Sequence, residues 1–164
     1  MPFATIDGIK TRYDVVGSGP PILMYAPGGF DATIEKWRTA GAYQRTKMLD
    51  HLAKKYQCIL FDRRECGESG GRVERITWAQ YVAHGKGLLD HLNIKKAHVM
   101  GGCMGCCPAT AFGVMHPEMV LSLVLFWPVG AYLIIYRAER SPIEIVAVTQ
   151  GSRDIPAFLR RRMH

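Results

Sequence analysis

No basic segment followed by an apolar stretch opens this chain. Met1-Pro2-Phe3-Ala4-Thr5-Ile6-Asp7 carries neither, so no secretory signal peptide is expected. There is no internal repeat and no low-complexity tract, and 164 residues fit a single domain with a sizeable core. A secreted disulfide framework is also missing. The cysteines number five, an odd count, and Cys103, Cys106 and Cys107 crowd together while Cys58 and Cys66 stand apart. That usage points to a reducing compartment, and a cytoplasmic location is expected. No second pair of ligands is spaced for a zinc site, so no metal is expected, and no cofactor either. The net charge of +7 includes the run Arg160-Arg161-Arg162, but no nucleic-acid module and no interleaving of basic and aromatic residues accompanies it. A solvated basic surface is the reading, with no nucleic-acid partner.

A long uninterrupted apolar helix is absent too. Residues 119–136 carry no charge, which is near the lower limit for a membrane span. Pro128 and Gly130 break the stretch, and its first half is rich in Val and Leu. A buried strand over 120–126, a turn and a second apolar element are expected instead, with no membrane partner.

What is present is a regular alternation. Residues 3–6 and 9–16 alternate in polarity around Asp7-Gly8, a hairpin signal. Continuous apolar runs at 21–26, 58–61, 97–100 and 120–126 read as buried strands. Between them, residues 31–56 read as helical, with Met48, Leu49 and Leu52 inward. Thr77 is an N-cap for a helix to about His91, and a third helix carries Ala109, Phe112 and Met115 before His116-Pro117-Glu118 stops it. Strands alternating with helices imply an α/β fold: a mostly parallel sheet, helices on both faces, opened by an antiparallel hairpin. Ligands in such sheets bind at the carboxyl ends of the strands.

The most informative stretch lies at one of those ends. Gly101-Gly102-Cys103-Met104-Gly105 follows an apolar strand and precedes a helix. It has the G-x-nucleophile-x-G pattern of a strand–turn–helix elbow, with cysteine in the central place. Glycine is needed at the flanks because side chains there would collide.

With three further segments, this elbow resembles the amino-terminal part of an α/β-hydrolase over residues 3–128. One is the glycine loop Pro27-Gly28-Gly29-Phe30. Another is Asp62-Arg63-Arg64-Glu65-Cys66-Gly67-Glu68-Ser69, similar to the family's D-x-R-G-x-G-x-S loop. The last is His116-Pro117-Glu118 leading into a strand. Cysteine as nucleophile resembles dienelactone-hydrolase-type members. Three departures stand out. Pro27 occupies the place of a usual histidine, Glu65 that of a usual glycine, and only residues 129–164 follow Pro128. Family members continue through two more strands bearing an acid and then a histidine, so the carboxy-terminal strands are expected to be missing or shortened. Residues 143–149 read as a strand, and Gly151-Ser152-Arg153-Asp154-Ile155-Pro156 resembles the family's acid-bearing loop, making Asp154 the candidate acid.

The resemblance implies a hydrolase of carboxylic esters or lactones working through an acyl-cysteine on Cys103. A nearby base or the helix start would favour the thiolate. Backbone N–H groups of Met104 and of Gly29 or Phe30 would hold the oxyanion. No histidine falls where the family places its base. His51, His84, His91, His98 and His116 lie upstream and read as structural or solvated, and His164 is the last residue. The alternative is a hydrolase-fold protein without turnover, a binding or self-associating module. An open sheet edge and apolar surface near Leu133-Ile134-Ile135 would then favour a homo-oligomer. Cys103-Met104-Gly105-Cys106 is also a C-x-x-C, but thioredoxin-like proteins carry that motif early in the chain, so Cys106 and Cys107 read as core residues.

Overall fold

A computed structural model describes residues 1–71, 76–126, 132–137 and 144–150 of the chain. Strands β1 (Phe3–Ile6) and β2 (Ile9–Val16) form the expected hairpin. Asp7 (φ 51°) and Gly8 (φ 70°) both take positive φ, as a two-residue turn of this hand requires. The apolar runs become β3 (Pro21–Tyr25), β4 (Gln57–Phe61), β5 (Ala97–Gly102) and β6 (Val120–Phe126). The six strands lie in the order β1-β2-β4-β3-β5-β6. β2 meets β4 antiparallel, while β4, β3, β5 and β6 run parallel to one another.

Because successive side chains alternate across a strand, the sheet has two buried faces. On one, Ile22, Met24, Leu60, Met100 and Phe126 pack with Trp37, Tyr43 and Leu49. On the other, Leu23, Tyr25, Ile59, Phe61, Val99 and Leu123 pack with Val82, Leu88, Leu89, Ala109 and Phe112. Helices therefore cover both faces, as the unbroken apolar runs imply.

The second face is covered by α4 (Trp78–His91) and α5 (Cys106–Met115). Thr77 caps α4 with a full capping box. Its hydroxyl accepts from the Gln80 amide, and the Gln80 side chain accepts from the Thr77 amide.

The first face departs from expectation. The single helical segment over 31–56 is three short helices, α1 (Lys36–Thr39), α2 (Gly41–Arg45) and α3 (Met48–Leu52). Ala40 is extended (φ −90°, ψ 121°) and Lys47 is left-handed (φ 47°), so both junctions turn the chain sharply. At the ends of α1 and α2, the Thr39 and Thr46 hydroxyls donate to the carbonyls of Glu35 (3.0 Å) and Ala42 (2.8 Å). The turns let Trp37, Tyr43 and Leu49 all reach the sheet, which one straight helix would not. Tertiary packing overrides the helical pattern here.

Beyond β6, strands β7 (Tyr132–Arg137) and β8 (Glu144–Gln150) pair antiparallel as a separate two-stranded sheet. The segment Leu133-Ile134-Ile135 is thus backbone-paired with residues 147–149.

Candidate active site

The elbow forms where the sequence placed it. β5 ends at Gly102, Cys103–Gly105 makes one tight turn, and α5 begins at Cys106. Cys103 has φ 49°, in the left-handed region that a non-glycine residue occupies at a cost of about 1–2 kcal/mol. Its neighbours show why the bend holds. A Cβ on Gly101 would lie 2.5 Å from the Gly105 carbonyl oxygen, and one on Gly105 would lie 2.3 Å from that of Tyr25. A Cβ on Gly102 would come 2.9 Å from the Tyr43 hydroxyl. The backbone of the turn therefore presses directly on the end of β3. Cys103 is half-buried and Met104, which follows it, is 43% exposed.

Two residues brace the elbow from below. The Tyr43 hydroxyl donates to the Phe126 carbonyl at 3.2 Å, and its ring packs edge-on against Trp37. Burial pushes this phenol well above its usual range, with the cysteines at 106 and 103 adding to the effect and the Cys103 amide opposing it. Cys106 is buried and donates to the Gly101 carbonyl at 3.2 Å. Burial, together with Cys107 and Cys103, pushes its thiol up to about 12, so it stays protonated at neutral pH. Cys106 is a core residue, as expected, while Cys107 is half-buried and all five cysteines are free.

The glycine loop after β3 lies beside the elbow, because β3 and β5 are neighbours with Tyr25 opposite Gly101. Gly28 takes φ 115°, and a Cβ there would sit 2.7 Å from the Asp31 carboxylate. Gly29 is exposed and Phe30 is 76% exposed. Lys36 holds the Asp31 carboxylate below its usual range, with smaller help from the amides of Asp31 and Gly29. The Gly29 carbonyl accepts from the Arg63 guanidinium, which also lies over the Tyr81 ring at 4.4 Å.

The loop after β4 is organised by Asp62, which is fully buried. Its carboxylate accepts from the amides of Ile34 and Glu68, both at 2.9 Å, and from the Arg12 guanidinium at 3.2 Å. The Ser69 hydroxyl closes the loop by donating to the Asp62 carbonyl at 2.8 Å. Glu65 has φ 64°. Its backbone therefore adopts the conformation for which the resembled family uses glycine. Its side chain compensates in part by accepting from Arg64 Nε at 2.9 Å.

Four of the described histidines, His84, His91, His98 and His116, are engaged with the scaffold. His84 is buried with Nε2 2.7 Å from the Thr11 hydroxyl, and its Nδ1 accepts from the Arg64 amide at 3.2 Å. That assigns the neutral Nε2–H tautomer. His98 Nδ1 lies 2.7 Å from the Ser122 hydroxyl, and burial lowers its basicity. His116 lies 3.4 Å from Glu118, and His91 packs edge-on against Tyr13. Among the described residues, no imidazole is hydrogen-bonded to the Cys103 sulfur and no cluster of His, Cys, Asp and Glu could hold a metal ion. Among them, no helix is long and apolar enough to cross a membrane.

The structure thus brings Cys103, Met104, Gly29 and Phe30 to one end of the sheet. Asp154 lies outside the described residues. Two supports were not legible beforehand. Tyr43 carries no motif, being far from Cys103 in the chain. Arg63 sits in a recognisable loop, but nothing in the order of residues shows which neighbour its side chain grips.

The family model described as alpha/beta hydrolase fold matches residues 21–133. The chain is 33% identical over 128 residues to a dihydrolipoyllysine-residue acetyltransferase component of an acetoin cleaving system from Cupriavidus necator, covering 78% of this chain and 32% of that protein. It is 33% identical over 129 residues to a 2-hydroxymuconate semialdehyde hydrolase from Pseudomonas sp. strain CF600, covering 75% and 41%. Among solved structures, a meta-cleavage product hydrolase from Pseudomonas fluorescens IP01 matches with TM-score 0.64 and 27% identity, covering 76% of this chain and 43% of that one. The chain spans about a third to a half of the length of the first curated relatives it matches, from 32% to 49%. With the elbow, the glycine loop and the parallel sheet in family order, this chain belongs to the α/β-hydrolase fold family.

Proposed function

We propose that the chain carries the nucleophilic half of a hydrolase site for carboxylic esters or lactones, with Cys103 as the acyl acceptor. One observation carries this reading. Cys103 is held at φ 49° between glycines whose backbones admit no side chain, at the carboxyl end of a parallel sheet, and it is half-buried. Such strain persists only where the surroundings enforce it, and it collects at functional sites.

The chemistry follows from the neighbours. The Cys103 thiolate attacks the acyl carbon, and the carbonyl oxygen takes up negative charge. The amides of Met104 and of the glycine loop stabilise that charge. Collapse breaks the bond from the acyl carbon to the leaving oxygen, which takes from water the equivalent of the proton that the Cys103 thiol released on ionising and departs as the alcohol (the tethered hydroxyl of an opened lactone), leaving a thioester on Cys103. Water then cleaves the thioester, releasing the carboxylic acid and restoring the thiol. Asp154 keeps its proposed place as the acid that orients a base.

A second reading rests on a specific observation: every described histidine with a polar partner is bound to the scaffold rather than to Cys103. A site of that kind acylates without turning over, and the chain would act as a binding module. A chromogenic short-chain ester separates the two. Steady release that vanishes in Cys103→Ala supports the hydrolase. A burst of one equivalent without turnover, again lost in Cys103→Ala, supports the binder. Equal release from both proteins removes Cys103 from the site.

A further inference from the structure

We infer that Arg63 is the positioning residue of the glycine loop: by gripping the Gly29 carbonyl it turns the Phe30 N–H toward Cys103. The inference rests on the acyl-cysteine reading for its chemistry, but its geometry stands apart from it.

The strand order supplies the argument. β3 lies between β4 and β5 in the sheet. Arg63 follows the end of β4, Cys103 follows the end of β5, and the loop 26–30 leaves β3 between them. The Arg63 guanidinium donates through Nη2 to the Gly29 carbonyl, so that carbonyl faces the β4 side. The Gly29–Phe30 peptide is a planar trans unit, in which C=O and N–H point in opposite directions. Fixing the oxygen toward β4 therefore aims the Phe30 N–H toward β5, where the elbow bends. This amide has no partner in the hydrogen bonds among the described residues. The Gly29 amide, by contrast, contributes to holding the Asp31 carboxylate.

Arg63 is itself held firmly. Its amide donates to the Ala32 carbonyl at 3.1 Å, its guanidinium lies 4.4 Å from the Tyr81 ring centroid, and Nη2 lies 3.9 Å from the Cys66 sulfur. The residue is 8% exposed. A glycine loop is flexible by nature, since Gly28 and Gly29 both lack a Cβ to restrict it. Preorganised donors stabilise a developing oxyanion only when they are aimed before the charge appears. A buried planar guanidinium gripping one carbonyl is a way to aim a loop that cannot aim itself.

The test uses the full chain as wild type, Arg63→Met and Arg63→Lys, with Cys103→Ala as the reference. Two measurements are made. The first is the amide resonance and exchange rate of Phe30 in 15N-labelled protein, which needs no catalysis. The second is the burst rate and KM with an activated chromogenic ester. In Arg63→Met the Phe30 resonance shifts and its exchange accelerates, while the amide of Gly105, in the elbow, is unchanged. The burst rate falls at least about tenfold with KM within about twofold, less than the 10²–10³ that deletion of an oxyanion donor costs. Added ethylguanidinium restores part of the rate. Arg63→Lys keeps the charge over Tyr81 but replaces the planar fork with a compact ammonium, so it falls between the two. If wild type shows no Cys103-dependent burst, the acyl-cysteine reading fails and the Phe30 amide alone decides the role of Arg63. An unmoved Phe30 resonance in folded Arg63→Met overturns the inference, as does a rate loss shared equally by KM and burst and not relieved by ethylguanidinium.

Discussion

Lowering the pH from 8 to 5 should cost this fold about 2 kcal/mol through one residue, His84. Its Nδ1 accepts the Arg64 amide and its Nε2–H faces the Thr11 hydroxyl, so both nitrogens are committed in the neutral ring. Burial, with Arg64 and Arg63 adding repulsion, depresses its basicity from 6.5 to about 4. The unfolded chain therefore takes up a proton below pH 6.5 that the folded chain refuses until about pH 4. The stabilisation is whole above 6.5 and is lost as the pH falls through that window. At roughly 1.4 kcal/mol per pH step the full gap corresponds to about 3 kcal/mol, and about 2 kcal/mol of it is gone by pH 5. Other groups titrate too, so the assay compares two proteins. Urea unfolding of wild type and His84→Gln is followed at pH 8, 6 and 5. Glutamine can accept the Arg64 amide and donate to Thr11 but does not titrate. Its stability should fall less between pH 8 and 5, by about 2 kcal/mol. Parallel curves for the two proteins, or an NMR titration midpoint for His84 near 6.5, would refute the reasoning.

Other perturbations follow from the same geometry. Gly105→Ala places a methyl 2.3 Å from the Tyr25 carbonyl oxygen and 2.7 Å from that of Ala26. Both are backbone atoms at the carboxyl end of the central strand β3, so the change should cost about 3 kcal/mol or more, seen as loss of cooperative melting. Cys103→Gly should act in the opposite sense, relieving the left-handed strain by about 1 kcal/mol and raising the melting temperature by about 2–4 °C while abolishing acylation. A fall in the melting temperature would show that the bend is unstrained. Asp62→Ala leaves the Ile34 and Glu68 amides without their acceptor and takes away one of three carboxylates on Arg12, which keeps Glu35 and Glu68, and should destabilise the chain by about 2–3 kcal/mol in urea titration. Tyr43→Phe leaves the buried Phe126 carbonyl without its donor, a loss of about 1–2 kcal/mol by the same titration.

The strands and α4 were legible in the sequence because their signals are local. Unbroken apolar runs marked β3 to β6, Asp7-Gly8 marked the first hairpin, and Thr77 marked the start of α4. The elbow was legible for the same reason, since Gly101, Cys103 and Gly105 lie within one turn. The segment 31–56 was not. Its composition suits one helix, and only the need to bring Trp37, Tyr43 and Leu49 onto the sheet bends it at Ala40 and Lys47. Glu65 was visible only as a departure from a pattern, and its φ of 64° appears only once the loop closes around Asp62.

Taken alone, the order of residues determined the alternation of strands and helices, the place of the elbow and the loops that flank it. Each depends on neighbours within a few positions, where propensity, spacing and steric exclusion act directly. Tertiary structure alone decided which groups meet across the sheet: Arg63 on the Gly29 carbonyl, Tyr43 beneath the elbow, His84 against Thr11. Those pairs lie tens of residues apart. Strand order and crossover direction bring them together, and no local energy encodes either.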